Sequence, residues 1–209
     1  MKFYDCQTAP SPRRVRMFIA EKGLDIPTVE IDMRNKEQLG EAFLKINPQA
    51  TVPALTLDNG TTLVSTAGCR AYLEGVHPEP AMMGRNDAER GVVADLISKI
   101  EFEGLGAVAE CLRNTAKGMK GRALTGQHNY EQIPDLGARG KVRAERFYES
   151  LDTVIGDKAF LAGDAISAAD IDAFIFCEFT QWIKVAMPDS CKNVARWHAA
   201  MKERPSAKL

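Results

Sequence analysis

The chain has 209 residues, of which 45% are hydrophobic and 26% charged, as in a globular protein with one large domain or two small ones. Lys and Arg (27) nearly balance Asp and Glu (28), so the net charge of -1 creates no basic field for nucleic acid or anionic lipid. No apolar run reaches the roughly 20 residues that span a membrane, and the first residues lack a signal-peptide pattern, so we expect a cytoplasmic protein.

The cysteine and histidine residues are few and scattered. None of the five cysteines belongs to a Cys-x-x-Cys pair, and none of the three histidines lies within helical reach of another. The pattern argues against a disulfide framework, a zinc site and a serine-histidine triad. We therefore expect reduced thiols and no bound metal.

Residues 1–77 alternate short strand-like and helix-like segments, which predicts an α/β domain. A strand is expected over residues 2–5. Ser11 and Pro12 have the residue types of an N-cap and a first helical position, and Gly23 has the type that ends a helix. The first helix is therefore expected to begin at Ser11 and to end before Gly23.

A second strand is predicted over residues 28–31 and a weaker helix over residues 38–46. Alternating residues on both sides of Asn59-Gly60 predict a β-hairpin over residues 54–64. Because Asn and Gly both tolerate positive φ, the expected turn is of type I′.

A third helix is predicted to run to about Val76, with Ser65 or Thr66 as its N-cap. The order of strands and helices is that of a thioredoxin-like domain. Residues 78–86 are rich in proline and glycine and are interpreted as a linker. Residues 87–209 show only helical patterns, so an all-helical second domain is expected.

The predicted helices of the second domain cover residues 87–116, 135–156, 167–186 and 190–203. The third of these begins with the strongest signal, because Ser167 and Asp170 have the spacing of a capping box. Apolar residues then follow at helical spacing and predict a core helix: Phe174, Ile175, Phe179, Trp182 and Ile183.

Candidate chemistry lies in the loop between the first strand and the first helix. Cys6, Thr8 and Ser11 meet there at a helix N-terminus, where backbone amides and the helix dipole favour an anion such as a thiolate. Ser11 is also explained as an N-cap, so Thr8 ranks slightly ahead as a donor to sulfur.

Two further elements could complete a groove in a thioredoxin-like fold. A cis bond between Val52 and Pro53 would expose the backbone of Val52 to an extended peptide, although the sequence leaves the isomer open. Ser65 and Thr66 open the third helix and could hold a carboxylate, or could serve only as caps.

Several motifs in order make the chain resemble the soluble glutathione transferases. They are APSPRRVRMFIAEKGL, NPQATVPALTLDNGTTL, STAGCRAYLE, HPEP and LAGDAISAADIDAF. The version TAPSPRRVR is similar to an atypical branch shared by bacteria and fungi, the second yeast-type class. The resemblance implies a thioredoxin-like glutathione-binding domain over residues 1–77, an all-helical glutathione-transferase domain, and a homodimer.

The resemblance also implies roles for particular residues. Val52 would exchange backbone hydrogen bonds with the cysteinyl part of glutathione, across a cis bond to Pro53. Ser65 and Thr66 take the place of the pair that holds the γ-glutamyl end. Two more residues would lie near the glycyl carboxylate or the neighbouring backbone: Gln38 and Thr51.

Two positions depart from the family pattern. Ala9 stands where many members carry a catalytic Ser or Cys, so the thiolate would depend on Thr8, Ser11, backbone amides or a water held by the second domain. Ser65 replaces an acid or amide, which predicts weak affinity for glutathione because a contact of about 1.5 to 3 kcal/mol is lost.

The leading functional hypothesis is conjugation of the glutathione thiolate to a small hydrophobic electrophile. The electrophile would lie near a long helix that carries Phe102, Leu105 and Val108, although such residues are usually core. Two alternatives remain: a thiol-disulfide reductase with Cys6 as nucleophile, and a glutathione-binding protein without transferase activity.

Overall fold

The computed structural model describes all 209 residues, which form two compact units. The first unit comprises Met1–Pro80, Thr125–His128 and Leu209, and the second comprises Ala81–Leu124 and Asn129–Lys208. None of the helices is both long enough and apolar enough to cross a membrane.

The first unit contains one mixed sheet. Its strands are β1 (Lys2–Asp5), β2 (Thr28–Glu30), β3 (Ala54–Thr56) and β4 (Thr62–Leu63), in the order β2-β1-β3-β4. Strand β1 runs parallel to β2 and antiparallel to β3, and β3 runs antiparallel to β4. A parallel pair joined to an antiparallel hairpin confirms the predicted thioredoxin-like fold.

Helix α1 (Pro10–Glu21) packs one apolar face into this unit, and Gly23 ends it with a φ of 65°. The buried hydrophobic residues of this helix are Val15, Met17, Phe18 and Ile19. The prediction that Ser11 caps the helix is wrong, because Ala9 is the N-cap and Pro10 takes the first helical position. The fixed φ of proline suits that position, so the helix begins at the earlier of the two prolines.

The predicted hairpin is present, but its turn is not of type I′. The N–H of Leu57 donates to the carbonyl of Thr61 at 2.8 Å, which leaves three residues in the loop. Within that loop, Gly60 donates to the carbonyl of Leu57 and is the one residue with positive φ, at 85°. The side chain of Asn59 instead accepts the N–H of Thr61 at 3.0 Å. One left-handed residue suffices in a three-residue loop.

The segment between β2 and β3 forms less helix than predicted. A 3₁₀ turn (Glu37–Leu39) and a short helix α2 (Glu41–Leu44) replace the expected helix, because Gly40 between them is extended. Phe43 of α2 is buried against the sheet together with three other residues: Tyr4, Ile31 and Ala54. Helix α3 (Thr66–Val76) follows the hairpin and begins where predicted.

The second unit is helical, as predicted. Its helices are α4 (Asp87–Lys99), α5 (Gly106–Thr115), α6 (Pro134–Ile155), α7 (Ala168–Phe179) and α8 (Lys192–Lys202). The first predicted helix is divided by a π-helical turn, Ile100–Leu105, into α4 and α5. Gly104 lies in that turn, where a Cβ atom would stand 2.7 Å from the ring of Phe147.

Helix α7 begins with the predicted capping box of Ser167 and Asp170 and forms the core of this unit. Four of the five predicted core residues are buried: Phe174, Ile175, Phe179 and Ile183. The exception is Trp182, which is 50% exposed. It lies in a 3₁₀ turn after α7, and the change from 3.6 to 3 residues per turn shifts it off the buried face.

Candidate functional site

The loop after β1 is held by a buried ion pair that the sequence analysis did not identify. Nη1 of Arg16 donates to both carboxylate oxygens of Asp5, at 2.7 and 2.6 Å, and Asp5 is only 3% exposed. The same carboxylate accepts the N–H of Cys6, and Nη2 of Arg16 donates to the carbonyl of Gln7. The loop is therefore tied to α1. The sequence signal for this ion pair was an Asp at the end of a strand and an Arg in the second turn of the next helix.

The side chain of Cys6 points into the protein and contacts Thr8. Cys6 is 4% exposed, and its Sγ lies 3.5 Å from Oγ1 of Thr8, where either group can be the donor. The hydroxyl of Thr8 therefore already has a partner within the chain.

All five cysteines are free and buried. Burial raises the pKa of the Cys69 thiol to about 12, and burial also raises the pKa values of Cys111, Cys177 and Cys191. Those four thiols stay protonated at neutral pH. No group of three or more His, Cys, Asp or Glu side chains is arranged to hold a metal ion.

The first turn of α1 leaves one main-chain amide open. Pro10 and Pro12 have no N–H, while Ala9 donates to the carbonyl of Cys6 at 2.9 Å. Ser11 makes no hydrogen bond with its N–H or its hydroxyl. Ser11 therefore presents two donors at the positive end of the helix dipole. It was ranked behind Thr8 because it was expected to be the N-cap, but the N-cap is Ala9.

The turn before β3 exposes a second set of backbone groups. The Val52–Pro53 peptide bond is cis, and neither backbone group of Val52 has a hydrogen-bond partner in the chain. Asn47 is fully buried and was not identified from sequence. Its Nδ2 donates to the carbonyl of Thr51 at 2.7 Å and to the hydroxyl of Thr51 at 3.1 Å. Asn47 thereby fixes the residue that precedes Val52.

Gln38 lies in the 3₁₀ turn before α2 and is 7% exposed. Its Oε1 is buried and has no hydrogen-bond partner. An unpaired buried polar atom costs about 1 to 3 kcal/mol, so a polar ligand group next to this amide would lower the free energy. Gln38 therefore fits an organic ligand with hydrogen-bonding groups. No hydrogen bond connects it to the other predicted site residues.

The start of α3 uses its two hydroxyls differently. Ser65 is exposed, and its Oγ accepts the N–H of Gly68 at 3.0 Å, which confirms Ser65 as the N-cap. Thr66 is 5% exposed. Its Oγ1 accepts a hydrogen bond from Nη2 of Arg14 and donates to the carbonyl of Ser11, both at 3.3 Å.

Three of the predicted elements meet in the first unit. The contact between Thr66 and Ser11 joins the starts of α3 and α1. Ala54, which follows the cis proline, pairs with Tyr4 of β1, so the start of β3 lies beside the end of β1. The open backbone of Val52 and the open donors of Ser11 therefore belong to neighbouring segments.

The residues predicted to line an electrophile site differ in exposure. Phe102 is 74% exposed, with the guanidinium of Arg143 5.2 Å from the centre of its ring. Leu105 is half-buried. Val108 is fully buried in the second unit, so its assignment to a binding surface is wrong. Helical spacing could not distinguish a core position from an exposed one.

Two protein-family patterns match the chain. The glutathione S-transferase N-terminal domain matches residues 8–75, and the glutathione S-transferase C-terminal domain matches residues 139–208. The chain belongs to the glutathione S-transferase family.

Individual relatives agree with this assignment. A glutathione S-transferase domain-containing protein of Marinobacter aquaeolei VT8 is 33% identical with a TM-score of 0.90, covering 99% of each chain. Gtt2 from Saccharomyces cerevisiae is 28% identical with a TM-score of 0.90, covering 100% of this chain and 99% of the other. This likeness confirms the resemblance to the yeast-type class.

A maleylacetoacetate isomerase of Pseudomonas aeruginosa is 37% identical over 177 residues, which cover 82% of this chain and 77% of the relative. The transferase relatives and the isomerase relative together support a glutathione-dependent enzyme.

Proposed function

We propose that this protein is a glutathione S-transferase that conjugates the glutathione thiolate to small hydrophobic electrophiles. The observations that carry the proposal are the open pair of donors on Ser11 at the start of α1 and the open backbone of Val52 in a neighbouring segment. An extended thiol peptide can use both features, with its backbone on Val52 and its sulfur at the helix start.

The chemical contribution is a lower pKa of the bound thiol. A free thiol has a pKa of about 8.5 and is only a few per cent thiolate at pH 7. A decrease of one or two pKa units therefore increases the concentration of the nucleophilic thiolate. The N–H and hydroxyl of Ser11 are the first donors we assign to the sulfur, and the hydroxyl of Thr8 is the second. The electrophile then reacts with a thiolate that is already oriented.

The remaining parts of glutathione are assigned to the backbone of Val52, to the start of α3, and to Gln38 and Thr51. The cysteinyl backbone pairs with Val52 beside Pro53, and the γ-glutamyl carboxylate lies at Ser65 and Thr66. The glycyl end lies near Gln38, whose unpaired Oε1 favours a polar ligand, and near Thr51. Ser65 supplies a neutral hydroxyl where the family pattern has an acid or amide, so we expect weak binding.

The test combines binding and turnover. Titration calorimetry with glutathione and with S-methylglutathione measures affinity with and without the thiol. A conjugation assay with a chloronitrobenzene-type electrophile then measures turnover. We expect both ligands to bind and only glutathione to be consumed. Binding without turnover across a panel of electrophiles would instead indicate a glutathione-binding protein without transferase activity.

A second candidate activity is glutathione-dependent isomerisation. The 37% identity to a maleylacetoacetate isomerase favours it. A thiolate that adds to an activated cis alkene and leaves again changes the alkene geometry without being consumed. Incubation with maleylacetoacetate and catalytic amounts of glutathione separates the two activities, because isomerisation needs no stoichiometric thiol.

A reductase that uses Cys6 has less support. Its thiol is 4% exposed and contacts Thr8, whereas an attacking thiolate needs access to the disulfide. Conjugation by a Cys6→Ser variant would exclude Cys6 as an essential nucleophile.

The remaining expectations follow from the family resemblance. We infer a cytoplasmic homodimer with a role in detoxification. Glutathione binding is assigned to residues 1–77, a linker to residues 78–86, and an all-helical domain to residues 87–209. Light scattering after size-exclusion chromatography tests the dimer, and limited proteolysis tests the boundaries.

A further inference from the structure

The loop that leads from β1 to α1 is held by charged side chains from two neighbouring elements. Nη1 of Arg16 donates to both oxygens of the Asp5 carboxylate, and Nη2 donates to the carbonyl of Gln7 at 3.2 Å. The N–H of Cys6 donates to the same carboxylate at 2.7 Å, and the N–H of Gln7 donates to Oε1 of Glu30 at 2.8 Å. Three consecutive residues are therefore held from α1 and from the end of β2.

One tight turn separates this ion pair from the start of α1. The N–H of Ala9 donates to the carbonyl of Cys6 at 2.9 Å, which closes a turn over residues 6–9. Ala9 is the N-cap of α1, and the open N–H and hydroxyl of Ser11 follow two residues later. The direction in which Ser11 presents its donors therefore depends on how Arg16 holds the loop.

The same ion pair decides the charge beside this helix start. Asp5 is 3% exposed, and an uncompensated buried carboxylate would raise the free energy of a thiolate bound nearby. The guanidinium of Arg16 contacts both carboxylate oxygens, so the pair presents little net charge. Further charged or titratable groups on the elements packed here are Cys6, Arg13, Arg14 and Glu30. Loss of either partner of the pair would leave one unpaired charge next to the loop.

We propose that Arg16 is a positioning residue for the bound thiolate. It fixes the loop that leads to Ser11, and it cancels the charge of Asp5 that would oppose a negative sulfur there. This inference rests on the proposed function. Arg16 acts through Asp5 and the loop, so the attraction of the helix N-terminus for the thiolate is not offset by a carboxylate beside it.

The test changes one charge of the pair at a time. Arg16→Gln removes the positive charge, whereas Asp5→Asn removes the negative charge and keeps an oxygen that can accept the N–H of Cys6. The double variant Asp5→Asn/Arg16→Gln leaves neither charge, and Arg16→Lys keeps the positive one. Lys22→Met is the matched control, because Lys22 forms a buried ion pair with Glu74 at the other end of α1.

The measured quantity is the pKa of the bound glutathione thiol. It is obtained from the ultraviolet absorbance of the thiolate and from the pH profile of kcat/KM for the electrophile at saturating glutathione. We expect Arg16→Gln to raise this pKa by about half a unit or more, which lowers the thiolate fraction by up to about threefold. Asp5→Asn should lower the pKa by a similar amount. The double variant and Arg16→Lys should stay near the wild-type value.

Opposite shifts in the two single variants distinguish an electrostatic role from a structural one. An ion pair that only stabilised the fold would give less stable variants with an unchanged thiol pKa, as we expect for Lys22→Met. Shifts of the same sign in Arg16→Gln and Asp5→Asn, or no shift in either, would overturn the proposal.

Hydrogen exchange separates this inference from the proposed function. Arg16→Gln should speed amide exchange at Cys6 and Gln7, with or without ligand, because the loop opens more easily. Wild-type protein that binds glutathione without turnover would refute the transferase activity alone, and the absorbance titration would still test the charge effect. Unchanged exchange in Arg16→Gln would refute the positioning role even in an active enzyme.

Discussion

The starts of α7 and α1 show two opposite ways to begin a helix. At α7 the carboxylate of Asp170 accepts hydrogen bonds from the N–H groups of Leu161 and Ser167, the hydroxyl of Ser167 and the indole of Trp197. At α1 the N-cap is Ala9, which has no side-chain acceptor, and the donors of Ser11 stay open.

The difference separates a structural helix start from a binding one. A helix leaves several N–H groups without intrahelical partners, and these must find an acceptor. At α7 the chain supplies the acceptor, so that start stabilises the second unit. At α1 the chain supplies none, and the acceptor can be the anion of a ligand.

The largest effect should follow from removing the acceptor at α7. Asp170→Ala leaves several buried donors without a partner, and we expect a decrease of about 3 kcal/mol or more in the free energy of unfolding. Urea denaturation measures it. Ser167→Ala, which removes only the cap hydroxyl, should cost about 1 kcal/mol. Equal effects of the two variants would contradict the central role of Asp170.

A hydrogen-bond acceptor introduced at the N-cap of α1 should increase the stability of the fold and decrease the activity. In Ala9→Asp the new carboxylate can accept the N–H of Ser11, which we expect to stabilise the fold by about 0.5 to 1 kcal/mol. The same charge competes with the thiolate, so kcat/KM for conjugation should fall about tenfold, equivalent to about one pKa unit of the bound thiol.

Ala9→Gly is the matched control, since it adds no acceptor and should change stability by a few tenths of a kcal/mol. A more active Ala9→Asp enzyme would place the sulfur elsewhere.

The start of α3 is intermediate, because Ser65 caps the helix and still has a hydroxyl proton to donate. Ser65→Ala should lower stability by about 1 kcal/mol and raise the dissociation constant of glutathione about fivefold, as loss of one hydrogen bond predicts. Asn86→Ala is the control, since Asn86 caps α4 in the same way, through the N–H of Glu89. The control should lose similar stability and no affinity; equal affinity losses would count against Ser65 as a ligand.

The smallest effects should come from the hydroxyls near the sulfur. Ser11→Ala keeps the main-chain N–H, so we expect kcat/KM to fall less than about threefold, within the range of one weak hydrogen bond. Thr8→Val should change it even less, because the hydroxyl of Thr8 already contacts Cys6. A hundredfold decrease in kcat/KM in either variant would identify that hydroxyl as the main hydrogen-bond donor to the sulfur. The main-chain N–H of Ser11 would then have a smaller role.

The sequence predicted most of the fold because the signals were local. The capping box of α7, the glycine that ends α1 and the serine that begins α3 act through neighbouring residues, and all three are present. The errors arose where two local signals competed. Both Pro10 and Pro12 can begin a helix, and Asn59-Gly60 fits both a two-residue and a three-residue loop.

The candidate site was only partly predictable. The positions of Thr8, Ser11, Val52 and Thr66 were identified, but not which of their donors and acceptors are open. Asp5, Arg16 and Asn47 were missed, because their importance lies in partners distant in sequence or in backbone atoms that sequence patterns do not show.

The sequence by itself determined the family, the division into an α/β part and a helical part, and the absence of a hydroxyl or thiol at Ala9. These features depend on residue types and their spacing. Only the tertiary structure decided that the hydroxyl of Thr66 contacts Arg14 and the carbonyl of Ser11, and that Ser11 has open donors. The availability of a polar atom depends on what packs against it, and those contacts join residues as far apart as Ser11 and Thr66.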